Sequence, residues 1–179
     1  MYRCSSPSSY TISVPSSFLQ QSIKQVVPFA SIMEGGAIHI MTTSVQRIDE
    51  MEFDYDMLVV LVQCLINQIL YLEKRRVTFT GFELADIVSV CGGKYFFIAN
   101  CSNLTSYDLV LPFVKPTFTT PEIKNLVKLP AQLSPFTARY SLGVLVISLL
   151  GGSIEIIKYT KLYWFLHRCI NSTSNFDLV

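Results

Sequence analysis

A chain of 179 residues corresponds to one ordinary domain, long enough to bury a hydrophobic core and too short for two large enzymatic domains. Half of the residues are hydrophobic and 15% are charged, a composition that excludes disorder over most of the chain. The 14 basic and 13 acidic side chains give a net charge of +1, so no overall field attracts nucleic acid or an anionic membrane. Such an apolar composition is typical of a large core or of a surface that a partner subunit covers.

The N-terminal region differs in composition from the rest of the chain. Residues 1–17 contain seven serines, one threonine and two prolines without an apolar period. We therefore predict a Ser-rich tail over residues 1–25, with folding starting near Phe18, and a folded domain over residues 26–179. The five cysteines include no CxxC pair and no nearby histidine spacing, which indicates a reduced, intracellular protein.

The first half of the folded region contains one strong helix signal. Residues 26–33 are an apolar run that predicts a strand, the Gly pair after it predicts a turn, and residues 37–48 predict a weakly amphipathic helix. Residues 57–76 predict a long buried helix with Asp54 or Asp56 as its N-cap. Its apolar run of 16 residues, at 57–72, is shorter than the about 20 residues of a membrane span.

Elements in the second half are shorter. Residues 87–90 and 95–98 are apolar runs joined by a loop with two glycines, which predicts a β-hairpin. Residues 100–135 show no sustained period and predict a long irregular segment. The apolar residues after position 140 predict two or three further helices. The predicted fold is therefore mainly α with a small β-hairpin.

Several strings along residues 26–170 match a known order of motifs. Residues 31–38 (SIMEGGAI) look like a kinase hinge, and the 57–72 helix looks like the buried helix before the kinase catalytic loop. Residues 118–122 (FTTPE) resemble the APE motif that closes the activation segment, with Thr120, Pro121 and Glu122 in its three places. Residues 139–145 (RYSLGVL) resemble the start of the central helix. The chain resembles the C-terminal lobe of a protein kinase.

The resemblance implies a catalytic loop and metal-binding positions that are degenerate here. Phosphoryl transfer needs a base aspartate, metal-binding Asn and Asp residues and a lysine on the phosphates. The His-Arg-Asp place reads Phe79, Thr80 and Gly81, so glycine stands where the base would be. Asp86 stands in place of the asparagine. The DFG place falls on Ala99, Asn100 and Cys101, or one residue later, and neither register provides a carboxylate.

The kinase N-lobe is expected to be largely absent. Five strands and a helix require about 36 residues before any loop, and only 30 precede the hinge-like string. No Gly-rich loop or Val-Ala-Ile-Lys string is present. Glu122 would also lack its usual arginine partner unless Arg139 or Arg168 replaces it.

Without an N-lobe, several apolar side chains would lose the cover that they have in an intact kinase. A large exposed apolar patch is typical of an interface. We therefore predict a partner-binding face, and its candidate residues are Phe29, Ile32, Met33, Phe96 and Ile98.

These observations predict a catalytically inactive kinase-like protein that acts as a binding or structural component of a larger assembly, by analogy including a virion shell. No cofactor, metal, nucleic acid or membrane span is expected, and nucleotide binding is not favoured. Asp86 and Asn100 are hard oxygen ligands, but two are too few for a divalent site, so we interpret them as a loop cap and a turn residue. His39 and His167 lie in no nucleophile motif. The alternatives are a regulatory pseudokinase with residual nucleotide binding and, less favoured, a peripheral membrane protein.

Overall fold

The computed structural model describes residues 8–110 and 114–150, and the predicted helices beyond residue 150 lie outside this part of the chain. The described residues form a mixed α/β structure with four α-helices and twelve strands in several small sheets. The prediction of a mainly α fold without an N-terminal lobe is therefore wrong. The sequence pattern did not predict these strands because most of them are only two to four residues long, too short to show a clear two-residue period.

The described residues before position 43 form a small three-stranded sheet and one helix. Strands β1 (Ser8–Ser13), β2 (Ser31–Met33) and β3 (Ala37–Thr42) pair antiparallel in the order β1-β3-β2. Helix α1 (Ser17–Val26) lies between β1 and β2 in the chain and packs on the second helix. Strand β1 and most of helix α1 thus lie inside the segment predicted as a Ser-rich tail.

The segment predicted as a helix over residues 37–48 is instead β3 followed by a short strand and a 3-10 turn. Ile38, Ile40 and Thr42 alternate with more exposed residues and are buried, which is the two-residue period of a strand. Gly35 and Gly36 have φ values of 86° and 80° and make the turn that joins β2 to β3. Pairing on both sides then holds β3 extended.

Helix α2 (Tyr55–Glu73) is the centre of the structure and confirms the predicted long helix. The Asp54 carboxylate caps it by accepting a hydrogen bond from the Met57 N–H at 2.7 Å. Leu61 and Leu65 are fully buried, whereas Gln63 and Asn67 are exposed. By length and composition α2 could cross a membrane, but it packs against α1 and neighbouring strands as a core helix does.

A three-stranded sheet packs against α2. Strands β7 (Ile87–Val90) and β8 (Tyr95–Ile98) form the predicted hairpin with the predicted bounds. Strand β4 (Val45–Arg47) pairs with the outer side of β7. Phe96 and Phe97 of β8 are fully buried, so this sheet contributes large aromatic side chains to the core.

Three short ladders organise the region after α2, including much of the segment that was predicted to be irregular. Strand β5 (Val77–Phe79) pairs with β9 (Leu104–Ser106), β6 (Gly81–Phe82) with β11 (Phe118–Thr119), and β10 (Asp108–Leu109) with β12 (Ala131–Gln132). The one-turn helix α3 (Pro121–Lys124) and helix α4 (Thr137–Leu149) follow. Helix α4 packs against α2 and β11.

An ion pair joins the end of α2 to the start of α4. Arg139 Nε donates to Glu73 Oε1 at 2.8 Å, and a second guanidinium nitrogen donates to Glu73 Oε2. This two-point geometry is partly buried, with the Glu73 side chain 10% exposed. Arg139 therefore pairs with Glu73 rather than with Glu122, and Arg168 lies outside the described residues.

We expect Arg139→Ala to lower the free energy of unfolding by about 1–3 kcal/mol, because it leaves the partly buried Glu73 carboxylate without its partner. Urea denaturation measures the change. Arg47→Ala is the matched control, since the Arg47 pair with Asp49 is well exposed and is expected to contribute less than about 1 kcal/mol. Equal effects of the two substitutions would contradict a structural role for the Glu73–Arg139 pair.

Candidate functional site

Gly81, which the kinase resemblance aligns with the catalytic base, lies beneath the segment that precedes α3. Strand β6 pairs with β11 so that Gly81 faces Thr119. A Cβ atom added at Gly81 would lie 2.8 Å from Thr119 Cβ and 2.9 Å from Pro116 Cγ, and closer still to the Phe118 carbonyl oxygen. Its φ of 152° is also one that other residues rarely adopt. No side chain fits at this position while the segment is in place.

Hydrogen bonds hold residues 114–120, the covering segment, against the loop of residues 80–86. The Thr119 hydroxyl donates to the Thr80 carbonyl oxygen, and the Thr117 N–H donates to Glu83 Oε1 at 2.6 Å. On the other side, Lys115 Nζ donates to the Lys124 carbonyl oxygen at 2.7 Å. The covering segment is therefore fixed by side chains as well as by the β6–β11 ladder.

Asp86 closes the 80–86 loop and ties it to the end of β8. Its Oδ2 accepts the Glu83 N–H at 2.8 Å, and its Oδ1 accepts the Asn100 Nδ2 at 2.7 Å. Its carbonyl oxygen accepts the Ala99 N–H at 2.9 Å. Asn100 Oδ1 in turn accepts the Ser102 N–H at 3.0 Å. The structure thus brings Asp86 and Asn100 together as bonded loop residues.

The contacts of this pair are those of a loop cap, not of a group of free oxygen ligands. Both carboxylate oxygens of Asp86 already accept N–H donors of the chain. Among the described residues, no group of three or more His, Cys, Asp or Glu side chains is placed to hold a metal ion. A divalent cation would therefore have to displace two hydrogen bonds and find its remaining ligands elsewhere.

The other residues that the resemblance aligns with the catalytic loop and the DFG motif lie in the hydrophobic core or at its edge. Phe79 is buried, and its ring contacts that of Phe82 edge to face with the centroids 6.3 Å apart. Ala99 and Cys101 are half-buried and follow β8, and Cys101 is a free thiol. None of these side chains is a carboxylate, the group that a kinase base and the DFG aspartate supply.

The APE-like string forms the start of α3. Thr120 caps this helix by accepting the Ile123 N–H at 3.3 Å, and Pro121 occupies its first turn. Glu122 is exposed and forms no hydrogen bond or ion pair with any residue that the structure describes. The string therefore anchors the end of the covering segment through Thr120 rather than through Glu122.

The structure divides the five predicted interface residues into two groups. Phe29 is 41% exposed and Met33 is 47% exposed, while Ile32 is half-buried. Phe96 and Ile98 are fully buried in the core of the chain itself, because α1 and α2 pack over β8. Phe96 and Ile98 therefore do not belong to an exposed face.

A buried polar residue that sequence reasoning missed connects three elements. Gln68 on α2 is fully buried, and its Nε2 donates to Ser22 Oγ on α1 at 3.1 Å and to the Ile98 carbonyl oxygen on β8 at 2.9 Å. Its Oε1 accepts the Ile98 N–H at 2.8 Å. The available signal was that Gln68 lies away from Gln63 and Asn67, the polar residues that face solvent, on the apolar side of the helix.

A serine and a histidine meet on the outer face of the small sheet. Ser9 on β1 and His39 on β3 are joined by a hydrogen bond between Ser9 Oγ and His39 Nε2. No acidic side chain in the described part of the chain hydrogen-bonds to His39, so the third member of a catalytic triad is missing from this geometry.

No protein-family model matches the chain, and no curated protein matches it.

Proposed function

We propose that the chain is a catalytically inactive kinase-like protein that acts as a binding or structural component of a larger assembly. The order of its motifs supports the kinase-like part of the proposal. Five elements follow one another in the order of the corresponding elements of a kinase C-terminal lobe. They are helix α2, the 80–86 loop, the β7–β8 hairpin, the APE-like string and α4.

The single observation that carries the inactive part is the surroundings of Gly81. A kinase base accepts the proton of the substrate hydroxyl, so it needs both a carboxylate and open space in front of it. Gly81 has no side chain, and Pro116, Phe118 and Thr119 fill the space that the Cβ atom of a base would need. The covering segment thus blocks the site with the chain's own residues.

The groups that would neutralise phosphate charge or hold a metal ion are also missing or engaged. Strands β1, β2 and β3 of the small sheet carry no lysine or arginine. Asp86 has both carboxylate oxygens in hydrogen bonds to the chain. Because phosphoryl transfer is mostly positioning and charge neutralisation, losing these groups removes most of the catalytic contribution.

Exposed apolar side chains support a binding role. Phe29 and Met33 lie near each other in the chain and each exposes about two fifths or more of its surface. Phe29 is held by an edge-to-face contact with Tyr95, with centroids 5.4 Å apart, so it is presented in a defined orientation. Ordered exposed aromatic residues are typical anchors of protein interfaces.

We expect purified protein to transfer no radiolabelled phosphate from ATP to generic protein substrates above a boiled control. We also expect millimolar ATP with magnesium to leave the Tm unchanged. A ligand that binds only the native state raises the Tm, so an unchanged Tm is the result expected of a protein that does not bind nucleotide. Transfer above the control that Asp86→Ala abolishes would overturn the proposal. A saturable rise in Tm without transfer would instead favour the regulatory pseudokinase with residual nucleotide binding.

A further inference from the structure

Strand β1 is at the edge of the small sheet. In the sheet order β1-β3-β2, one side of β1 pairs with β3 along all six residues, from Ser8 to Ser13. Among the described residues, no strand pairs with its other side. This edge is longer than that of β2, which has three residues.

The residues of β1 do not protect this edge. Natural edge strands avoid further pairing by carrying charged residues or proline, by bulges or by being very short. The sequence of β1, Ser-Ser-Tyr-Thr-Ile-Ser, contains no charge, proline or glycine, and its register with β3 is uninterrupted. The strand therefore presents a straight, neutral row of backbone groups.

The ladder with β3 indicates which backbone groups face outward. The Val14 N–H donates to the Gly36 carbonyl oxygen at 2.9 Å, directly after the pair Ser13–Ala37. Because antiparallel residues alternate between hydrogen-bonded and non-hydrogen-bonded pairs, Tyr10 and Ile12 direct their backbone groups toward β3. The alternate residues of β1 direct their N–H and C=O away from β3, and these residues are Ser9, Thr11 and Ser13.

We infer that this edge pairs with β1 of a second copy of the chain in an antiparallel, two-fold arrangement centred on Thr11. In this register Thr11 faces Thr11 of the second copy, and Ser9 faces its Ser13. All three outward residues then exchange both backbone hydrogen bonds, about six in all. The two small sheets join into one.

The side chains favour the same register. Tyr10 faces Ile12 of the second copy on the inner face, an aromatic and β-branched pair that stabilises antiparallel sheets. Thr11 and the serines meet on the outer face, where hydroxyl pairs are also favourable. A slip of one residue would put each side chain on the wrong face. A slip of two residues would place Tyr10 opposite Tyr10 in one direction, which loses the Tyr10–Ile12 pairs, and Ser9 opposite Pro15 in the other, where proline has no N–H to donate.

Sedimentation equilibrium of the full chain, with a Thr11→Lys variant, tests this inference. We expect a dimer at protein concentrations of about 10–100 μM, and we expect Thr11→Lys to raise its Kd at least about tenfold, since it places two like charges opposite each other. Thr11→Val is the matched control, because it keeps the β-branched shape and the backbone groups, and we expect it to leave the Kd within about threefold. Thr11 is exposed, and circular dichroism checks that all variants fold alike.

A cross-linking measurement gives the position of the contact. Thr11→Cys protein treated with a short bis-maleimide is expected to give a peptide in which residue 11 of one copy is linked to residue 11 of another. A monomer at about 100 μM, the upper end of the range in which we expect a dimer, would overturn the inference. It would be overturned equally by a dimer that Thr11→Lys does not weaken, or by residue 11 linking only to another part of its own chain.

Discussion

Replacing Gly81 with aspartate restores the residue type of a kinase base, and we expect it to unfold or strongly destabilise the protein rather than activate it. The new side chain would collide with Thr119, Pro116 and the Phe118 backbone. It would also place a carboxylate in a buried position with no arranged partner. We expect a loss of about 3–5 kcal/mol in the free energy of unfolding, with phosphate transfer still at background.

Urea denaturation of Gly81→Asp beside Gly92→Asp measures this effect. Gly92 also has a positive φ, 64°, but a Cβ there meets no atom within 4 Å. Aspartate tolerates that conformation, so the control is expected to cost only about 1 kcal/mol. If both variants were equally stable, the covering segment would have to move away easily, and the proposed reason for an absence of phosphate transfer would fail.

We expect the second large effect from Gln68→Leu, which keeps a similar volume and removes every polar atom of the side chain. The substitution leaves the buried Ile98 N–H without its acceptor and the Ile98 carbonyl without a donor. A buried unsatisfied backbone group costs about 1–3 kcal/mol, so two of them predict a loss of about 2–6 kcal/mol. Thermal and urea unfolding both report this loss.

Asn67→Leu is the matched control for Gln68→Leu. It removes a similar amide from the neighbouring position on α2, but Asn67 is exposed. We expect a change within about 0.5 kcal/mol, the usual size for a surface substitution. A neutral or stabilising Gln68→Leu would mean that the two polar groups of Ile98 find other partners, and that Gln68 does not join α1, α2 and β8.

The predictions that the structure confirms rest on signals that are local in the chain. Helix α2 has an N-cap at Asp54, a long apolar run and a polar stripe, all within about 20 residues. The β7–β8 hairpin has two apolar strands and a turn with two glycines. Each signal lies within the element that it specifies, so the sequence was sufficient for both.

The strands of the small sheet could not be predicted in the same way. Residues 8–13 have the composition of a tail, and they are ordered because β3, about 30 residues away, supplies their hydrogen bonds. The segment after Gly36 has apolar residues at spacings that fit both a weak helix and a strand. Its two neighbouring strands, rather than its own propensity, make it β3.

Some properties of the candidate site follow from residue identity alone, and others depend on the tertiary structure. The identities of Gly81 and Asn100 are sufficient to predict that neither of these positions supplies a carboxylate, because the presence of that group depends on residue type alone. That the covering segment fills the space at Gly81, and that Phe96 and Ile98 are buried instead of exposed, depends on residues far apart in the chain. Close packing brings these residues together, and the sequence near any one of them does not contain that information.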